Sequence, residues 1–153
     1  MPPAIVPALS AFAALGAVLS AVDLRTRRLP DAILLPGGAV VVALLSVAAV
    51  LAGEPSRGTT IALGAGGAFL ACLLIHVRRP AAFGGGDVKL AGLCGAVLGW
   101  DGPDAVASGI CLGFVAGGVA AAGVALAGAR RGSIAFGPFL LLGTWWRLFT
   151  GPG

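Results

Sequence analysis

Six apolar runs, separated only by short polar connections, constrain this chain more than any other feature. They cover about 4–22, 32–52, 59–77, a fourth run ending at 100, then 105–127 and 134–149. About 20 apolar residues suffice for a helix to cross roughly 30 Å of hydrocarbon. Inside a bilayer the backbone must satisfy its own hydrogen bonds, which favours helices for spans of this length. The expected fold class is therefore all-α, a polytopic membrane bundle of about six transmembrane helices. No connection is long enough to fold separately, so 1–153 reads as a single integral-membrane domain. Composition agrees: 58% of residues are hydrophobic, 10% are charged and the mean hydropathy is +1.02. Soluble domains carry about a quarter charged residues.

The net charge of +4 does not point to nucleic acid, because the basic residues cluster between apolar runs. Arg25, Arg27 and Arg28 follow run one, Arg78, Arg79 and then Lys89 follow run three, and Arg130 and Arg131 follow run five. Alternating spans put these connections on one side, and the excess of Lys and Arg makes that side cytoplasmic. Both termini are then expected outside, in a multi-pass protein of the cytoplasmic membrane. The N-terminal run has no preceding basic segment and reads as a retained span rather than a cleaved signal. Cys72, Cys94 and Cys111 fall inside apolar runs without metal-type spacing and read as small apolar filler. Trp100, Trp145 and Trp146 read as interfacial anchors. Gly109, Gly113 and Gly117, and Gly92, Gly95 and Gly99, read as places where helices approach closely.

The fourth run is short if counted from Val88 and reaches about 20 residues only if counted from Ala81. The segment Gly84, Gly85, Gly86, Asp87 is thus expected at membrane depth, facing a cavity. An intramembrane acid is costly and usually marks function. The glycines suit either a phosphate cradle, weakened by the lack of a following G-K-[ST], or close approach of another backbone such as an extended peptide. Glu54, Asp101 and Asp104 fall in outward connections and read as solvated. Asp31, behind Pro30, reads as an N-terminal helix residue. Asp23, taken alone, reads as a solvated charge beside arginines, yet it ends its span on the same side as Asp87. Two facing carboxyls share one proton near neutral pH. The ionised partner can then activate water and the protonated one can polarise an amide carbonyl, without metal or cofactor.

These residues resemble a known family. "DLRTRRLPDAILLP" from Asp23, "FGGGDVKL" from Phe83 and "FGPFLLLG" from Phe136 resemble segments of the prepilin peptidases, the type IV leader peptidase family of GxGD aspartyl membrane proteases. The resemblance implies Asp23 and Asp87 as the catalytic pair, and Gly84, Gly85 and Gly86 as the loop that lets substrate approach. It implies a precursor, prepilin or pseudopilin, with a basic leader before one apolar helix, cut at the cytoplasmic face. The partners are that precursor and membrane lipid, with no cofactor and no metal. Larger members add an N-terminal cytoplasmic region with paired cysteines and N-methylating activity. This chain resembles the short form, or the archaeal preflagellin peptidases, so proteolysis alone is expected.

Other polar residues carry weaker expectations. Lys89 would either hold Asp87 ionised or snorkel to the headgroups, with snorkelling favoured. Lys89 and Asp31 are at most supporting residues. His76 could serve proton transfer, although an interfacial position is favoured. The rival reading is a non-enzymatic membrane protein, such as a proton- or cation-coupled transporter subunit. Against it, the acids gather at one face instead of marking a path across the bilayer.

Overall fold

The computed structural model describes residues 2–26, 29–80, 83–127 and 135–151. Among these the chain is all helical: a short 3-10 turn Pro3–Ile5, then α1 Val6–Thr26, α2 Asp31–Leu51, α3 Arg57–Arg78, α4 Gly85–Leu98, α5 Pro103–Leu126 and α6 Gly137–Thr150. The expected basic residues Arg27, Arg28, Arg130 and Arg131 lie outside the described residues, as does the expected start of span six at Ile134.

Four elements are long and apolar enough to cross a membrane: Pro3–Thr26, α2, α3 and α5. Their outer faces carry large apolar side chains such as Leu51, Leu63, Val119 and Leu126, all more than 65% exposed. Such surface is stable against lipid rather than water. The chain is a multi-pass helical membrane bundle. The remaining two helices are shorter than the reading of about six full spans implies. α4 and α6 have 14 residues each, or about 21 Å at 1.5 Å per residue.

α4 is short because it is the core. Every residue from Leu90 to Trp100 is buried. A helix apolar on all sides belongs in the interior. It packs most extensively on α3, and glycine makes that possible. A Cβ at Gly99 would lie 2.5 Å from the Thr60 carbonyl oxygen, and one at Gly95 would lie 2.6 Å from the Ala68 Cβ. α5 and α6 use the same device, with Gly113 against the Leu140 Cα at 3.1 Å. The expected packing role of these glycines is what the structure shows. With little hydrophobic force between helices in lipid, this close contact supplies the cohesion.

Trp100 departs from its expected role as a headgroup anchor. It is 2% exposed and lies beneath Arg57, whose guanidinium sits 4.9 Å from the ring centroid. Arg57 also donates to the Trp100 carbonyl at 2.6 Å and pairs with Glu54 at 2.7 Å. These contacts tie the α2–α3 and α4–α5 connections together at one end of the bundle. The ring of Trp145 packs on Phe12 and Phe149, and only Trp146 is well exposed.

Candidate active site

The site lies at the opposite end, where α1 finishes and α2, α4 and α6 begin. Asp23 sits in the last turn of α1, the end at which a helix dipole disfavours an anion. It is nevertheless 4% exposed. Its environment comes from α6: the Gly137 N–H donates to Asp23 Oδ2 at 3.2 Å. Phe136 and Pro138 set this up. Proline lacks a donor and fits the first turn of a helix, so α6 starts here with the Gly137 N–H directed at the carboxyl. Gly137 leaves room for the acid, since a Cβ there would stand 2.9 Å from Asp23 Oδ2 and 3.4 Å from Leu90 Cδ2.

Asp87 is the third residue of α4 and is half-buried. Its Oδ2 accepts from the Gly84 N–H at 3.2 Å, the reciprocal half of a capping box. A capping role and a chemical role are compatible, because one carboxylate oxygen has several lone-pair directions. The Asp23 carboxylate lies within electrostatic reach of Asp87. The bundle thus brings together two acids that are far apart along the chain.

The two acids are held in the same way. Each accepts an N–H from a Phe–Gly peptide that opens a helix, Phe83–Gly84 for α4 and Phe136–Gly137 for α6. The two phenylalanine rings meet edge to face at 5.2 Å between centroids. Phe114 of α5 packs on both, at 5.6 Å and 5.0 Å. Gly117, one turn further along α5, gives the Phe136 ring its space. Sequence reasoning missed this aromatic clamp. The signal was present as the repeated Phe–Gly dipeptide, once before Asp87 and once in "FGPF".

The three loop glycines have different surroundings. Gly86 packs against the α1–α2 connection, where a Cβ would stand 2.7 Å from Leu29 Cβ. Gly84 and Gly85 are exposed, and at Gly85 a Cβ would meet, among the described residues, only the His76 ring, at 3.9 Å. The half-buried ring of His76, in the last turn of α3, bonds the loop, with Nδ1 2.6 Å from the Phe83 carbonyl oxygen.

Lys89 and Asp31 also differ from expectation. Lys89 neither snorkels freely nor pairs with Asp87. It binds Asp31 Oδ2 at 2.6 Å and links α4 to the first turn of α2. Asp31 makes no capping bond at the start of α2, where Pro30 is the N-cap. A residue at the first helical position is poorly placed to cap, whereas Lys89 is directly opposite. Among the described residues no cluster of three or more His, Cys, Asp or Glu could hold a metal ion.

Neither the curated proteins nor the solved structures contain a match to this chain. A model of the type IV leader peptidase family matches residues 10–126, which include Asp23, Asp31, Gly84, Gly86, Asp87 and Lys89 but end before α6. Since that match covers about three quarters of the sequence and takes in both acids at the site, the chain belongs to the type IV leader peptidase family.

Proposed function

We propose that this chain, acting as one membrane peptidase unit, is an aspartyl endopeptidase. It removes a short basic leader from prepilin-like precursors at the cytoplasmic membrane face. The observation that carries this reading is the convergence of Asp23 and Asp87 at one end of the bundle, each steadied by one backbone N–H. Two carboxyls at close range hold one proton between them. The ionised acid takes a proton from water as the oxygen attacks the scissile carbonyl carbon. The protonated acid donates to the carbonyl oxygen, giving a tetrahedral diol. Collapse breaks the C–N bond, the leaving nitrogen receives a proton from the dyad, and the shared proton is restored.

The orientation rests on charge. Arg25, Arg78, Arg79 and Lys89 stand at the same end as the acids, and a precursor leader lies on the cytoplasmic side before export. Gly84 and Gly85 leave the approach to Asp87 uncrowded, which suits an extended peptide. Lys89 and Asp31 support the site by fixing α4 against α2.

The test is co-expression with candidate precursors from the same genome, each carrying a basic leader and one apolar helix. Asp23→Asn and Asp87→Asn should each insert normally and leave the precursor uncut. Cleavage by both variants at the parent rate would remove the aspartyl reading. Impermeant thiol labelling of single cysteines at Arg25 and Arg79 should occur only from the cytoplasmic side.

A further inference from the structure

One peptide unit beside Asp87 is hydrogen-bonded on both of its faces. Its carbonyl, from Phe83, faces His76 Nδ1 at 2.6 Å. Its N–H, from Gly84, donates to Asp87 Oδ2 at 3.2 Å. A carbonyl oxygen only accepts, so the proton on that contact belongs to His76 Nδ1. This fixes the tautomer: in neutral His76 the Nδ1 is the donor and Nε2 carries the lone pair. Donation to the Phe83 oxygen draws electron density along the peptide and makes the Gly84 N–H a better donor, as in any hydrogen-bonded chain. It also holds the peptide plane in the orientation that aims this N–H at the carboxylate. Gly84 has an extended backbone, φ −73° and ψ 148°. Most residues adopt that conformation, so the backbone angles alone do not lock the peptide.

We propose that His76 is a positioning residue for Asp87, acting through the Phe83–Gly84 peptide to hold the carboxyl in its ionised, correctly aimed form. This rests on the reading of Asp87 as a catalytic acid. Among the described residues Asp23 has no counterpart to His76: its Phe136–Gly137 peptide is oriented by the start of α6 and by the rings of Phe83 and Phe114. Both acids thus accept an N–H from a Phe–Gly peptide, and among the described residues only the peptide beside Asp87 is backed by an imidazole.

The other charged or titratable groups around Asp87 do not substitute for this contact. α1 supplies Asp23, which opposes a second negative charge. α3 supplies Cys72 besides His76, and Arg78 and Arg79 at its end, like Arg25 of α1, are exposed. On α4 itself Lys89 is occupied by Asp31 of α2. α5 and α6 present phenylalanines and the Gly137 N–H to this end, with no charged side chain among the described residues there.

Three substitutions separate the donor from the bulk of the ring. His76→Ala removes the donor. His76→Asn places an amide N–H at nearly the same distance from the backbone as Nδ1, and His76→Gln places it one atom further out. Loss of one ordinary hydrogen bond is expected to lower kcat about 3- to 10-fold in the Ala and Gln variants. KM should stay unchanged, and the Asn variant should approach the parent. A readout independent of cleavage is the infrared carboxylic-acid band of Asp87, identified by its loss in Asp87→Asn. At neutral pH the protonated fraction should rise in His76→Ala and stay at the parent level in His76→Asn. An unchanged band in His76→Ala overturns the proposal, as does rescue by Gln but not by Asn, which would assign the role to Nε2. If the band moves as expected while the parent cuts no precursor, the positioning role stands and the protease reading falls.

Discussion

Gly137→Ala is the sharpest perturbation of the acid pair, because it changes one methyl group outside both aspartates. The added Cβ would stand 2.9 Å from Asp23 Oδ2 and 3.4 Å from Leu90 Cδ2. The carboxyl is 4% exposed and on a short side chain, so it cannot swing into solvent to make room. Relief requires either α6 to shift or the carboxyl to rotate, and both lengthen the 3.2 Å bond from the Gly137 N–H. Leaving the buried Gly137 N–H without its acceptor costs about 1 to 3 kcal/mol. At about 1.4 kcal/mol per factor of ten, kcat for precursor cleavage should fall about 5- to 150-fold. Alanine has a better helix propensity than glycine by up to about 1 kcal/mol, which works in the opposite direction on folding. Activity should therefore fall far more than stability. The assay is turnover of a purified precursor in detergent or proteoliposomes, with thermal unfolding of the same samples. Gly118→Ala on the exposed face of α5 is the internal control, since no described atom lies within 4 Å of a Cβ there and cleavage should stay within about 3-fold of the parent. Parent-like turnover in Gly137→Ala would refute the claim that the α6 N–H maintains Asp23 in its working state.

Other perturbations should separate architecture from chemistry. Gly95→Leu should unfold the bundle, because even a Cβ would stand 2.6 Å from Ala68 Cβ and the α3 backbone is in direct contact; a loss of several kcal/mol is expected, read as loss of folded protein in detergent titrations. Arg57→Ala gives up the 2.6 Å bond to the Trp100 carbonyl and the contact with its ring, and should cost about 1 to 3 kcal/mol of stability. It lies at the end remote from the acids, so kcat of the remaining folded protein should be unchanged. Lys89→Ala and Asp31→Ala each break an ion pair whose side chains are 36% and 55% exposed. Each should cost at most about 1 kcal/mol in thermal unfolding, and the exchanged pair Lys89→Asp with Asp31→Lys should recover part of it. Phe136→Ala, which opens the clamp between the two Phe–Gly peptides, removes a half-buried ring and should cost about 1 to 3 kcal/mol and reduce cleavage with it.

Much of this protein is dictated locally. The apolar runs determine that the chain forms helices in a membrane, because no other backbone arrangement satisfies itself there over such lengths. Gly84, Gly86 and Asp87 mark the candidate site, since an acid in an apolar run is costly without a partner. The small residues Gly95, Gly99 and Gly113 already indicate which helix faces come into close contact. What sequence could not supply is contact between groups that are remote along the chain. That α4 is buried from Leu90 onward follows from how the longer helices surround it, not from its own apolar pattern, which suits a lipid face equally well. That Lys89 binds Asp31, and that Trp100 lies under Arg57, depends on the rotation of each helix about its axis. Hydropathy does not encode that angle when every face is apolar. The pairing of Asp23 with the Gly137 N–H joins two residues 114 positions apart, and only the packed bundle brings the start of one helix to the end of another. The order of residues thus determines what must be buried, and the tertiary structure alone decides which buried groups meet.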